Sequence, residues 1–348
     1  MKKLRINMYA HGQDVPGQGV GSAYHEQVDL LQQFAQDQLE VIENASKQGD
    51  IHHFNTVDPI SYVRCLLSKV PSVMHVHFLP DTLEGSIKLP DFASKIFKRY
   101  VMSFYKKADQ LVVVNPTFIE ELGEYGLDTN KVTYIPNYVS RDLFYPLEKG
   151  DYDVLYEKHG FDRERFTVIG VGQVQTRKGV LDFIETARSL PDYQFIWCGG
   201  FSFGKITDGY NELKEAVENP PANVHFVGIV PREEMNLYYN LADCLFMPSY
   251  NELFPMAILE ASNVHLPILV RDLALYKDIL FDHVLTAEDV NGFAKALTYL
   301  AMDFSEYQYW AAETEKIDRY YSPEHVSQLW IAYYQNLVTT DKVLKTNK

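Results

Sequence analysis

Short runs rich in β-branched and aromatic residues alternate with helical patterns along the whole chain, and the alternation restarts once. In the first half the runs are Leu4–Met8, Leu39–Ile42, Ile51–Phe54, Val73–Phe78, Leu111–Asn115 and Val132–Ile135. Amphipathic stretches such as Val20–Gln38, Phe92–Lys107 and Thr117–Tyr125 separate them. In the second half the runs are Phe166–Val171, Tyr193–Cys198, Val224–Val227, Cys244–Pro248 and Pro267–Val270. Strands joined through helices pair in parallel, with right-handed crossovers. The restart follows Pro146-Leu147-Glu148-Lys149-Gly150, a polar stretch with turn residues. The pattern predicts an α/β chain of two facing, Rossmann-like, doubly wound parallel-sheet domains, residues 1–145 and 146–322, with a cleft between them. Residues 323–348, which contain the aromatic-rich helical pattern Glu324–Val338, are expected to pack back toward the first domain. A chain of 348 residues is comfortable for two such cores. Ligands of doubly wound sheets sit beyond the carboxyl ends of the strands, here in the cleft.

A net charge of −15 argues against a nucleic-acid partner. The charge is uneven: residues 1–150 carry 15 basic and 18 acidic side chains, residues 151–348 carry 17 and 29. The three cysteines, Cys65, Cys198 and Cys244, stand far apart among apolar neighbours, which predicts buried reduced thiols and a reducing compartment. The first eight residues lack an apolar run of signal-peptide length, and no stretch approaches 18 apolar residues. The expected location is the cytoplasm.

The segment Pro248-Ser249-Tyr250-Asn251-Glu252-Leu253-Phe254-Pro255-Met256-Ala257-Ile258-Leu259-Glu260-Ala261 follows a strand, turns, and opens a helix near Pro255, where proline is well tolerated. Free amides at such a start can face an anion. Glu260, further along that helix, can accept hydrogen bonds from two neighbouring sugar hydroxyls. Spacing alone fits equally well two surface carboxylates flanking an ordinary buried helix.

Glu252 and Glu260, with seven residues between them, resemble the Glu-x7-Glu motif of retaining GT-B glycosyltransferases of glycosyltransferase family 4. Four further segments resemble that family in its order. Gly17-Gln18-Gly19-Val20-Gly21 is similar to its glycine-rich loop, and Val76-His77-Phe78 to its strand-end histidine. Gly172-Gln173-Val174-Gln175-Thr176-Arg177-Lys178-Gly179 resembles its phosphate-binding turn. Phe226-Val227-Gly228-Ile229-Val230-Pro231 resembles the segment whose backbone holds the nucleobase. The resemblance covers nearly the whole chain.

It implies that Glu260 binds the ribose, that Glu252 and His77 contact the donor sugar, and that Lys178 pairs with the diphosphate. Gly19, Val20, Gly172, Gln173, Arg177, Val227 and Ile229, with the amides around Phe254, Pro255, Met256 and Ala257, would complete the donor site. A cation placed at the diphosphate stabilises the charge that grows as it departs. The family's arginine in the phosphate turn is Gln173 here, with Arg177 just before Lys178. Either Arg177 supplies that charge from another angle, or the diphosphate is held by one cation fewer. The family's Glu-Gly-Phe-Gly loop reads Glu252-Leu253-Phe254-Pro255, a stiffer and bulkier version.

Neither His52-His53 nor His75 with His77 has an identifiable third ligand, so no metal is expected. Asp151-Tyr152-Asp153 mimics the Asp-x-Asp of metal-dependent transferases but stands at an expected helix start, which favours capping. The glycines near 17–21 lack the rest of a dinucleotide fingerprint. No resident cofactor is expected, the UDP-sugar being a co-substrate.

Residues 86–108 hold six basic side chains and one acid. On a helix, Phe97, Val101 and Phe104 share one face, while Lys95, Lys98, Arg99 and Lys106, followed by Lys107, lie largely elsewhere. The pattern reads as a surface helix whose cationic side either is merely solvated or attracts an anionic bilayer. Within the family, the runs at 75–86, 199–204 and 251–256 are similar to those of Gram-positive synthases that add a second hexose to monoglucosyl-diacylglycerol. That likeness implies transfer of an α-hexose, with galactose expected, from a UDP-sugar to this glycolipid, giving the diglycosyl lipid that anchors lipoteichoic acid. It also implies a protein peripheral to the inner face of the cell membrane. UDP-glucose as donor, or a soluble or polyprenyl-linked saccharide as acceptor, is the rival, and a non-enzymatic sugar-nucleotide-binding protein a more distant one.

Overall fold

The computed structural model describes residues 3–11, 19–46, 48–83, 91–202 and 204–346. The first half runs β1 Leu4–Tyr9, α1 Gly19–Phe34, β2 Leu39–Glu43, β3 Ile51–Phe54, α2 Pro59–Leu66 and β4 Ser72–Val76. It continues with α3 Asp91–Lys107, β5 Gln110–Val113, α4 Phe118–Glu124 and β6 Val132–Tyr134. The second half runs α5 Asp153–His159, β7 Thr167–Val171, α6 Val180–Ser189, β8 Gln194–Cys198, α7 Tyr210–Glu218 and β9 Val224–Gly228. Then come α8 Met235–Leu241, β10 Cys244–Met247, α9 Met256–Asn263, β11 Ile268–Arg271, α10 Ala274–Leu280 and β12 Leu285–Ala287. Three helices close the chain: α11 Val290–Met302, α12 Phe304–Tyr320 and α13 Pro323–Thr346.

The strands form two six-stranded sheets, ordered β2-β1-β3-β4-β5-β6 and β12-β11-β10-β7-β8-β9. All pairings between named strands are parallel. Helices flank both sheets, so the central strands are buried on both faces and are mostly apolar, with His52 and His53 the exceptions in β3 and Ser72 and His75 those in β4. β4 and β10 are buried at every residue. In the second sheet the winding reverses between β7 and β10, and the crevice beyond the carboxyl ends of those two strands is where such folds bind ligands.

Each predicted strand is present, with ends shifted by up to two residues. β12 was missed. Its three residues Leu-Thr-Ala are only partly buried and offer no apolar run. The α13 residues Val326, Trp330, Ile331 and Tyr334 pack into the core of the first sheet with Ile6, Leu31 and Val73. A second core passes between the halves, bringing Ala23, Val114 and Val139 against Met247, Phe254 and Ile258. All three cysteines are buried and free.

Candidate functional site

At the carboxyl end of β7 the chain leaves the sheet at Gly172. The backbone is pinned there by Gly172 N donating to the Cys198 carbonyl (3.0 Å) and by Trp197 Nε1 donating to the Gly172 carbonyl (3.0 Å). A short 3-10 turn, Thr176–Lys178, follows and ends at Gly179 in the left-handed region (φ 68°). A Cβ at Gly179 would lie 2.3 Å from the Pro248 carbonyl oxygen, so only glycine lets this turn lie against the end of β10. Tyr250 N donates to the Arg177 carbonyl at 2.8 Å and ties the two loops together.

This close approach puts Lys178 on Glu252. Lys178 Nζ donates to Glu252 Oε1 at 2.6 Å, with both side chains largely buried. Burial raises the Glu252 carboxyl, but the Lys178 and Arg177 charges outweigh it and hold the group below the usual carboxylate range. Arg177 stands beside the pair, its guanidinium 3.9 Å from Glu252 Oε2. Its NH1 donates to the Asn251 carbonyl at 3.1 Å and its Nε to Gln175 Oε1 at 3.1 Å, while Gln175 donates to Gln173. The position where the family's arginine is expected is therefore joined through Gln175 to the arginine that this chain has.

Pro255 is the N-cap residue of α9 and its side chain makes no cap hydrogen bond, which leaves the first-turn backbone of Met256 and Ala257 to other partners. Every residue of α9 is buried, Glu260 among them. Leu253 packs against the first-domain cluster that includes Val76 and Leu79, so the Glu252 loop reaches the strand end that carries His77. Phe254 lies against Tyr321, ring centroids 5.6 Å apart.

His77 follows β4 directly and stacks on His75 at 4.2 Å. His75 donates from Nδ1 to Asn55 Oδ1 at 3.0 Å, and His53 hydrogen-bonds to the Tyr334 hydroxyl at 2.6 Å. Burial lowers all three imidazoles, His53 to about 3 and His77 to about 4, so they are neutral at physiological pH. Nε2 of His77 is buried with no hydrogen-bond partner among the described residues, a polar atom in want of a ligand.

Glu260 accepts from the Tyr239 hydroxyl on Oε2 and from Arg232 NH1 on Oε1, both at 2.6 Å. Arg232 NH2 donates to Glu26 Oε1 of α1 at 2.5 Å. Val227 lies in β9 and half-exposed Ile229 just beyond it. Gly19 and Val20 open α1, and the glycine loop preceding them lies outside the described residues. Sequence reasoning missed Arg232, Tyr239 and Glu26. The one signal was that Arg232 follows the nucleobase segment directly.

One expectation needs correction, and one cation has a partner that its own segment does not show. Asp151 and Asp153 do not cap α5: its N-cap residue is Tyr152, without a side-chain bond, and Asp153 instead pairs with Arg163 at 2.5 Å. Lys98 does not stand free on the cationic face of α3. It pairs with Asp81 at 2.8 Å and lies over the Tyr125 ring, whereas Lys95, Arg99, Lys106 and Lys107 are exposed. Among the described residues no group of three or more His, Cys, Asp or Glu side chains is arranged to hold a metal.

Residues 151–317 match the family model for glycosyl transferases group 1, and residues 24–143 that for glycosyltransferase family 4. The alpha-galactosylglucosyldiacylglycerol synthase of Streptococcus pneumoniae is 46% identical over 336 residues, 96% of this chain and 90% of that protein. The processive diacylglycerol alpha-glucosyltransferase of Acholeplasma laidlawii is 27% identical over 302 residues, 84% and 87% of the two chains. Anabaena HepE in complex with UDP-glucose matches with a TM-score of 0.74 at 15% identity, covering 96% of this chain and 99% of that one. Sucrose-phosphate synthase from Thermosynechococcus elongatus matches at 0.78 and 16%, covering 97% and 100%. At such identities these two structures establish the shared fold alone.

Proposed function

Since this chain belongs to glycosyltransferase family 4, we propose that it transfers a hexose, galactose in our reading, from a UDP-sugar to monoglucosyl-diacylglycerol. The product is an α-linked diglycosyl lipid of the kind that anchors lipoteichoic acid. The observation that carries this reading is the buried Lys178–Glu252 pair at the switch point of the second sheet. The acceptor is inferred from the synthase named above, 46% identical over 96% of the chain.

In this reading Lys178 and Arg177 face the diphosphate, and Glu252 holds Lys178 in place while binding a donor-sugar hydroxyl. The bond between the anomeric carbon and the phosphate oxygen breaks and negative charge gathers on the departing UDP, where fixed cations in a dry site stabilise it most. The acceptor hydroxyl bonds to the same face of that carbon, and its proton passes to the departing phosphate oxygen. Neutral His77 offers its Nε2, unpartnered among the described residues, to the donor sugar from the opposite domain. The cations of the chain take the charge-neutralising role that a metal fills elsewhere, so transfer is metal-independent in this account.

The acceptor lives in a bilayer, and no described helix is long and apolar enough to cross one. The surface we assign to the membrane is formed by α2 and α3, joined through the Tyr62 and Ser103 hydroxyls at 2.7 Å. Ile60, Val63 and Leu67 on and just after α2 and Phe92 and Ile96 on α3 are each more than half exposed, beside the exposed cations Lys95, Arg99, Lys106 and Lys107. Apolar side chains rimmed by basic ones fit an anionic bilayer, the former entering and the latter meeting headgroups.

Labelled hexose appearing in a lipid-soluble product when the protein meets UDP-sugar and dispersed glucosyl-diacylglycerol supports this function. Labelling only of free or polyprenyl-linked saccharides would move the assignment to the rival acceptor.

A further inference from the structure

Arg232 belongs to none of the donor motifs, yet it joins the two domains at the carboxylate assigned to the ribose. It stands on the turn that follows β9, and its two terminal nitrogens serve different carboxylates: NH1 serves Glu260 at 2.6 Å and NH2 serves Glu26 at 2.5 Å. Glu26 lies on α1 of the first domain, 206 residues away in sequence. Both carboxylates are buried, at 3% and 6% exposure, and the guanidinium carbon lies 5.1 Å from the centre of the Phe144 ring. The remaining oxygens are also engaged: the Ser140 amide donates to Glu26 Oε2 at 2.8 Å and the Tyr239 hydroxyl to Glu260 Oε2 at 2.6 Å. Burial works against the Arg232 charge, but Glu260 and Glu26 outweigh it and raise the guanidinium above its ordinary value.

We infer that Arg232 is the positioning residue of the ribose site, and that Glu26, from the opposite domain, fixes Arg232 so that ribose recognition depends on the closed arrangement of the two domains. The inference rests on the reading of Glu260 as the ribose-binding carboxylate. Each Glu260 oxygen already accepts one hydrogen bond, which leaves a lone pair on each for two vicinal hydroxyls. Their direction is set by Arg232 and Tyr239. A guanidinium can bind two carboxylates in one plane because its nitrogens are rigidly spaced, and an ammonium has no such fork. If the domains part, Arg232 must give up one of its partners, and Glu260 or Glu26 is left buried with a bond missing. Ribose binding and closure then favour one another, because both need the same guanidinium in the same place.

The test compares the affinities of UDP and 2′,3′-dideoxy-UDP for the full-length protein by calorimetry. The parent is expected to prefer UDP by about tenfold or more, the size of a lost charge-assisted contact. Glu260→Gln should abolish that preference. Glu26→Gln and Arg232→Lys should each cut it at least about threefold, while dideoxy-UDP, which has no hydroxyls to be read, still binds and shows that the site is folded. If Glu260→Gln loses the preference while Glu26→Gln and Arg232→Lys keep it, the cross-domain inference is wrong and the ribose reading stands. If Glu260→Gln itself keeps the preference, the ribose reading fails and the inference falls with it.

Discussion

Lys178 and Glu252, 74 residues apart, form a 2.6 Å ion pair between the loops that end β7 and β10, the two strands at which the second sheet reverses its winding. Neither charge would be stable there alone, because the desolvation of an unpaired buried ion outweighs what a protein interior returns. In the proposed mechanism the pair holds this cation ready for the departing diphosphate.

Removing that cation should slow the reaction more than it weakens binding. Lys178→Ala is expected to lower turnover by about 100-fold or more, with a smaller change in UDP-sugar affinity, since the charge matters most as the leaving group departs. Single-turnover rates and calorimetric affinities measured on one variant preparation separate the two effects. An affinity loss that accounts for the whole rate loss would assign Lys178 to ground-state binding.

Arg177 is the second cation at the site, and its link through Gln175 to Gln173 connects it with the position of the family's arginine. Arg177→Ala should weaken UDP-sugar binding by about tenfold, whereas Gln173→Ala should cost less, because only the former removes a charge. A silent Arg177→Ala beside a damaging Gln173→Ala would mean that the arginine has not taken over the role.

The three neighbouring buried histidines, His53 against His75 at 5.3 Å and His75 stacked on His77, make stability depend on pH in a definite direction. Each takes up a proton near pH 6.5 when unfolded, but in the folded chain His53 stays neutral down to about pH 3 and His77 to about 4, with His75 also lowered. Their contribution is complete above pH 6.5 and is lost as pH falls toward the folded values, because the unfolded chain then binds more protons than the folded one. Asp243, raised by burial to about 6, and Glu26, also raised by burial, act in the opposite sense and reduce the loss without cancelling it. Urea midpoints should therefore fall from pH 7 to pH 5, and a midpoint that stays level or rises would contradict the neutral state of these histidines.

Membrane attachment should need both parts of the α2–α3 surface. Replacing Lys95, Arg99, Lys106 and Lys107 with glutamine should lower affinity for phosphatidylglycerol vesicles at least about tenfold, each cation being worth on the order of 1 kcal/mol near the surface. Salt should reproduce that loss, since screening shortens the attraction to about 8 Å at physiological ionic strength. Ile60→Ser with Leu67→Ser should leave binding that salt removes more completely than in the parent. Sedimentation of the charge variant with anionic vesicles to the parent's extent would make this face an ordinary solvated one.

What the sequence disclosed and what it hid divide along sequence distance. β10 announces itself as an unbroken apolar run, and β4 as a buried run interrupted only by Ser72 and His75, because parallel strands covered on both faces are mostly apolar. Glu252, Glu260 and Lys178 are legible because each belongs to a short segment whose turn and helix start are local features. Glu26 and Arg232 have no such signal. Each is one charged residue in a patterned stretch, and only the folded chain brings them together across the two halves. The partner of Lys98 is hidden for the same reason: Asp81 lies 17 residues upstream, on a different element. β12 escaped because a short, partly exposed edge strand need not be apolar.

The most direct measurement is the structure of the product. The protein, glucosyl-diacylglycerol in anionic vesicles and each UDP-hexose in turn should yield a lipid heavier by one hexose. UDP-galactose should be the preferred donor, and the new anomeric proton should show the small coupling of an α-linkage. A β-linked product, or hexose transferred to soluble saccharides and never to the lipid, would contradict the account.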